Sequence, residues 1–467
     1  MNTFVNAVIT QESRTENGMK AKKSTTSALV DFFFKAGAMR GQDIVPTFVA
    51  AYTEDREKAL RLALWLRDIR EGAGERELFK CILQWLEKYN PEHAKILLTH
   101  IPELGRWDDI FAFQTSALKF EAYGMLALAL MNKNGLAAKW CPRQGPIAAE
   151  LRKYIGMSPK QFRKTLVGLT NVVEQQMCSN DWDNIEFSKV PSLASARYKK
   201  AFNRHTPKFQ EYVDKLSLGD KEVKVNTGAV YPYDVLKGLK NSNYSSNELK
   251  HVIAQWEALP NYIGSASILP MVDVSGSMDQ SAGNSKTVTA MDVALSLGLY
   301  CSEKNVGKFK DLFVTFAEHP SIEKLEGNIV ERFSQLKRAD WNTSTNLHLA
   351  IETILSTALN GQVPKEEMPE VLLILSDMQF DECMYFDDSA MEMIARKYSQ
   401  YGYVLPKIIF WNIAAHSNVP VVSTQHGVAL ISGFSPAILK SILLADLNSM
   451  TPENIMLQTI MKDRYKV

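Results

Sequence analysis

The sequence is short of several features that would announce a function. Its five cysteines, Cys81, Cys141, Cys178, Cys301 and Cys383, stand far apart with no C-x-x-C pair. That excludes a disulfide framework or a zinc ribbon and fits a reducing compartment, where such residues act as small apolar fillers. No apolar run reaches the roughly 18–20 residues needed to span a bilayer. The leading stretch MNTFVNAVITQESRTENG has no basic region followed by an apolar one. The expectation is therefore a cytoplasmic protein with no membrane partner. No G-x-x-x-x-G-K-[ST] occurs, so no nucleotide-binding loop is expected. His100, His205, His348 and His416 lie in dissimilar contexts without paired carboxylates, and none is assigned a catalytic role.

Net charge is nearly absent as well, at +1 from 53 Lys and Arg against 52 Asp and Glu. The distribution is uneven. From Lys139 to Lys240 there are 18 basic against 10 acidic residues, a surplus of eight, which leaves the rest of the chain at minus seven. Such asymmetry argues for association with polyanions and says nothing about fold. At 467 residues the chain exceeds one core, because single cores stop growing near about 250–300 residues. A hydrophobic share of 46% and a charged share of 22% are those of an ordinary folded chain.

Two periods divide it. From about residue 25 to 260 apolar residues recur at three and four, as helices require. In EKALRLALWLRDIREGAGERELFKCILQWLEKYN, one helix carries Leu60, Ala63, Leu64 and Ile69, and Gly72 and Gly74 break it. The next helix carries Leu78, Phe79, Ile82, Leu83 and Leu86. Similar units follow in PEHAKILLTHIP, in RWDDIFAF with EAYGMLALALMNKN, and in SPKQFRKTLVGLTNVVEQQM. Stacked pairs of this size make a HEAT-like α-solenoid. After residue 260 short β-branched runs (SILPMVDV, KDLFVTFA, EVLLILSD, PKIIFWNIA, GVALISG) alternate with helical stretches. That alternation reads as a doubly wound parallel sheet. The fold class is thus multidomain, α followed by α/β, with residues 1–262 as a helical repeat domain and 263–467 as the sheet domain.

In open α/β sheets ligands sit beyond the carboxyl ends of the strands. Asp273, Ser275 and Ser277 follow the first strand, Ser344, Thr345 and Asn346 precede a helix, and Ser376 and Asp377 end EVLLIL. If these strands are neighbours, Asp273, Ser275, Ser277, Thr345 and Asp377 converge as an all-oxygen donor set. Two carboxylates and three hydroxyls are too few for calcium and suit Mg²⁺ with waters or an outside carboxylate. The alternative is a helix N-cap box with no metal, since Ser and Asp are favoured caps. A nuclease or phosphatase would need further acids or a lysine at these strand ends. The order of these residues resembles the von Willebrand factor A domain and its metal-ion-dependent adhesion site (MIDAS), over roughly residues 263 to 467. The resemblance implies that Ser275, Ser277 and Thr345 touch the metal directly while Asp273 and Asp377 act mostly through water. It also shows Ser344 where many relatives place glycine.

The first half resembles the TROVE module of the Ro ribonucleoprotein autoantigens, and especially a Ro-like branch with the same pairing of domains. The stretches that carry this are TENGMKAKKSTTSALVDFFF, LRDIREGAGERELF, HIPELGRWDDIF, LAAKWCPR and EFSKVPSLASARYKKAFNRHTPKFQEYV. The resemblance implies a closed helical ring whose ends the A domain joins, with single-stranded ends of small non-coding or misfolded RNA entering the hole. Independent chemistry is compatible, since cations that neutralise phosphates beside stacking rings are what single-strand binding uses. The candidate contacts are Lys139, Arg143, Arg152, Lys153, Lys160, Arg163, Lys164, Arg197, Lys199, Lys200, Arg204 and Lys208. The neighbouring Tyr198, Phe202 and Phe209 stand at helical spacings that favour core packing over base stacking. Arg70, Glu71, Glu75 and Arg76 are expected to pair across their hairpin, and Arg106, Trp107, Asp108 and Asp109 to set another.

Together these readings lead to the expectation of a non-enzymatic, cytoplasmic, Ro-like RNA-binding protein with one Mg²⁺ in its A domain for capture of an acidic protein partner. The alternative is a protein-interaction adaptor that uses the metal site and the helical solenoid without RNA.

Overall fold

A computed structural model describes residues 12–467, apart from 114–115, 171, 228–229, 238, 240–243, 265–266, 283–284, 286, 307, 317–318, 338–344, 383–386, 415, 417 and 444–449. Ser344 and Cys383 lie outside the described residues.

The helical half runs from Ala28–Ala36 to Ser246–Glu257 and starts its helices where side chains can cap them. Ser27, Asp55, Ser158 and Ser245 each accept a first-turn backbone N–H. Pro91 and Pro159 occupy first-turn positions, where the missing N–H costs nothing. Leu78, Phe79, Ile82, Leu83 and Leu86 are buried along helix Arg76–Tyr89, as their spacing requires. Ile69 is placed differently from its expectation: the preceding helix stops at Arg67, and Ile69 lies in the turn. The glycines of that turn are sterically fixed. A Cβ on Gly72 would fall 2.0 Å from the Trp65 carbonyl oxygen, and Gly74 sits at φ +73° with the Tyr231 hydroxyl 2.1 Å from where its Cβ would be.

The second half is a six-stranded sheet. Its strands are β3 Ile268–Asp273, β4 Leu312–Phe316, β5 Ser321–Lys324, β6 Val371–Ser376, β7 Lys407–Asn412 and β8 Val428–Ser432, following two short strands, β1 Glu12–Arg14 and β2 Lys20–Lys22. The order is β5-β4-β3-β6-β7-β8, parallel except for β5, which pairs antiparallel with β4 at the edge. Every residue of β3, β6 and β8 is buried, as strands covered on both faces must be. The five apolar runs are all strands. β5 adds a sixth that its short polar sequence, SIEK, does not advertise.

Contacts tie the halves together at both ends. The β1–β2 hairpin docks on the sheet domain, where Lys22 and Val419 exchange backbone hydrogen bonds and Thr15 Oγ1 donates to the Phe380 carbonyl. Helix Ala28–Ala36 packs on β8, with Ser432 Oγ donating to the Phe33 carbonyl at 2.9 Å. At the other end helix Pro232–Leu236 packs on Ala290–Lys304, and Ser246–Glu257 packs on Ile329–Lys337. Arg464 Nε and Tyr465 Oη both donate to the buried Asp68. The helical half is therefore an arc whose first and last helices both rest on the sheet domain. Among the described residues no helix is long and apolar enough to cross a membrane.

Candidate functional site

Strand order reverses between β3 and β6, the neighbours from which the chain departs in opposite directions. Connections diverge there and leave a crevice at the strand ends. Val272 pairs with Leu375, so Asp273 and Ser376 leave the sheet side by side. Ser376 Oγ donates to Asp273 Oδ2 at 2.6 Å, and the Ser275 backbone N–H donates to Oδ1 at 3.0 Å. Ser275 Oγ and Ser277 Oγ are 3.0 Å apart, the first buried and the second exposed. Thr345 is buried before helix Leu347–Asn360, and its carbonyl accepts from the Asp381 N–H at 3.1 Å, which fixes it beside the loop that follows β6. Asp377 is fully buried; Oδ1 accepts from the Gln379 N–H at 3.0 Å, while Oδ2 has no hydrogen-bond partner.

Electrostatics follow from this packing. Burial first, and the neighbouring Asp377 second, raise the Asp273 carboxyl above the ordinary carboxylate range. Two buried carboxylates with one orphaned oxygen are costly without a counter-charge. A hard divalent cation would offset that repulsion, so the donor set fits Mg²⁺ chemically. Among the described residues no group of three or more His, Cys, Asp or Glu stands ready to hold a metal ion, so this set depends on its hydroxyls. His416 reaches the same crevice, with Nε2 3.8 Å from Asp377 Oδ2 and Nδ1 3.8 Å from Glu16 Oε1. Nothing local in the sequence marks His416 or Glu16, because one arrives on the loop after β7 and the other on the N-terminal hairpin.

The basic candidates lie on the late helices, except Arg143, which lies between two of them. Arg143, Lys153, Lys160, Arg163, Lys164, Arg197, Lys200, Arg204 and Lys208 are exposed, and Lys139 and Arg152 are half-buried. Lys199 is set apart. It is 5% exposed, beside Glu248 and over the Tyr244 ring, and burial pulls its ammonium down to about 8. Helical phase explains this: Ser192, Ser195, Lys199 and Phe202 form the inward stripe of helix Ser192–His205. Among the described residues none of the twelve forms an ion pair. Arg143 donates to Thr170 Oγ1 and Lys208 to the Asp183 carbonyl. Phe202 and Phe209 are fully buried in a small core, with Tyr198 packed on it, as their spacing predicts.

Arg70, Glu71, Glu75 and Arg76 do find partners, though not one another. Glu75 binds Arg40, and Arg76 binds Asp108 and Asp109. Glu71 stands 3.8 Å from Lys462, and Arg70 donates to the Glu103 carbonyl. Arg106, Trp107, Asp108 and Asp109 lie in and before a short 3-10 turn, Trp107–Ala112, with the Arg106 guanidinium 3.7 Å over the Trp140 ring.

Two family models without an assigned role match the two halves of the chain. A domain of unknown function, DUF2828, matches residues 15–106 and 147–267, and another, DUF7788, matches residues 267–464. The chain is 29% identical to "Uncharacterized protein L728" of Acanthamoeba polyphaga mimivirus, over 93% of its own length and 85% of the relative. Among solved structures, that of the Ro (RSR) protein of Deinococcus radiodurans aligns with 94% of this chain and all of its own. The identity is 13% and the TM-score 0.46.

Proposed function

We propose that this chain is a Ro-like RNA-binding protein that holds single-stranded or misfolded small RNA on the basic face of its late helices. The observation that carries the reading is the exposure of the basic candidates: eleven of the twelve reach solvent, and among the described residues none forms an ion pair. Cations without an internal ion pair are available to phosphates, and neutralising phosphates releases counterions. Binding measured by fluorescence anisotropy on a single-stranded RNA should therefore weaken steeply with salt. Affinity that ignores salt, or no RNA uptake at low salt, would sink the reading.

The same proposal gives the sheet domain one Mg²⁺, held by Ser275, Ser277 and Thr345 with Asp273 and Asp377 through water. Bound there, the ion would supply an open position for a carboxylate of an acidic protein partner. The orphaned Asp377 Oδ2 supports this. Calorimetric titration with Mg²⁺ should show one site in the parent and none in Asp273→Ala, with folding of both checked by circular dichroism. Identical titrations would leave DVSGSM as a helix cap. The cytoplasm is the compartment proposed.

A further inference from the structure

A cavity of about 430 Å³ opens between the two flanks of the helical arc. Arg67, Arg76 and Arg106 line it from the early hairpins, and Arg197 and Lys237 from the late helices. The charge balance of its walls is unequal. On the early side three guanidiniums share two carboxylates. Arg67 Nε donates to Asp109 Oδ2 at 2.7 Å, and Arg76 donates to Asp109 Oδ1 at 2.9 Å and to Asp108 Oδ2 at 2.6 Å. Arg106 then takes both oxygens of the same Asp108, at 2.9 and 2.5 Å. One positive charge is left over.

The late side adds a second. Lys237 is matched by Asp234 at 2.7 Å, whereas Arg197 has no ion pair among the described residues. Nearby charges do not change this balance. Arg40 and Glu75 neutralise one another, and Glu77, 3.6 Å from Arg76, is shared with Lys80 at 3.2 Å. Arg67 is only 2% exposed and uses Nε alone, so the donors on its two terminal nitrogens bond to no described residue. Tyr231 and Tyr233 complete the wall. Burial raises both phenols, so they are neutral O–H groups at physiological pH.

Two surplus guanidinium charges facing a recess with apolar backing repel one another, and their planar forks match the oxygens of phosphate. We propose that this cavity binds a phosphomonoester, a terminal phosphate carrying close to two negative charges, between Arg67, Arg76, Arg106, Arg197 and Lys237. A terminal phosphate matches the surplus, whereas a backbone phosphodiester, with one charge, does not. The volume is near the lower end for small-molecule sites, so a single phosphorylated unit fits and a duplex does not. The site goes beyond the RNA reading, because it would fill with RNA absent.

The test is calorimetry on the full chain with inorganic phosphate at low salt, in the parent and in Arg197→Gln. Arg197 is exposed and unpaired, so its loss should leave folding unchanged. The parent should take up one phosphate, and the variant should bind about tenfold or more weakly, as expected for a lost charge-assisted hydrogen bond. No saturable uptake, or uptake untouched by both Arg197→Gln and Lys237→Gln, overturns the proposal. The source of the group is separated by two single-stranded RNAs that differ only in a terminal phosphate or hydroxyl. A preference for the phosphorylated strand, displaced by inorganic phosphate, makes the ligand a strand end; phosphate uptake with no such preference makes it a free phosphorylated molecule. Lys200→Glu, outside the cavity, separates the two readings. Phosphate uptake with no RNA binding in any variant would remove the RNA reading and keep the cavity site. Salt-sensitive RNA binding without phosphate uptake would do the reverse.

Discussion

Two stretches of the helical half are rich in the same side chains and use them in opposite ways. Between residues 56 and 109, Arg61 pairs with Glu57, Arg67 with Asp109, Arg76 with both Asp108 and Asp109, and Arg106 with Asp108. Between residues 139 and 208 none of the twelve basic candidates forms an ion pair among the described residues. A cation facing a buried acid is committed to the fold, because removing either partner strands a charge in a poor dielectric. A cation left in water costs the fold little and stays available to a mobile polyanion. The contrast separates cations matched by buried acids from cations left to solvent within a single run of helices.

That contrast can be broken from either side. The largest effect is expected from Asp109→Ala, which should cost about 3–5 kcal/mol in urea unfolding because Arg67 is left charged and buried without its ion pair. A loss below 1 kcal/mol would mean that the early network is not structural. Next, if about four phosphates are neutralised on the late helices, single-strand affinity should fall about 50-fold between 50 and 200 mM salt. Arg163→Glu with Lys200→Glu and Arg204→Glu should flatten that slope, and an unchanged slope would place the RNA elsewhere.

A pH effect sharpens the comparison from beneath the basic face. His251 is buried, bonds to Ser195 Oγ at 2.8 Å, and is pulled from 6.5 down to about 3 by burial and then by Lys199. The unfolded chain therefore takes a proton below about 6.5 that the folded chain refuses, so stability should fall as pH drops from there toward 3, by at most about 1.4 kcal/mol per pH unit. Urea midpoints across that range check this, and His251→Gln should lessen the dependence. The smallest effect belongs to Lys160→Ala and Lys153→Ala, both exposed, which should stay within about 0.5 kcal/mol of the parent in stability.

Much of the architecture was legible beforehand. The five apolar runs became strands, and Asp273 and Ser376 leave the sheet side by side because parallel strands with crossing helices must deliver their carboxyl ends to one edge. β5 and the β1–β2 hairpin were not legible, since three- and four-residue strands with mixed polarity carry no period. Lys199 was misplaced for a different reason. Its helical phase put it on the inward stripe, but a lysine where an apolar residue belongs disguised that stripe. His416, Glu16 and the arginine-lined cavity had no local signal at all.

The sequence by itself determined the main helices, five strands of the sheet and where positive charge accumulates, because propensity, capping and composition act over a few neighbouring residues. Only the tertiary structure decided which cations are spent on acids and which remain free. Ion pairing acts over a few ångströms between residues far apart in the chain, as Arg67 with Asp109 and Arg464 with Asp68 show. Spacing along the sequence cannot report a distance that only packing creates.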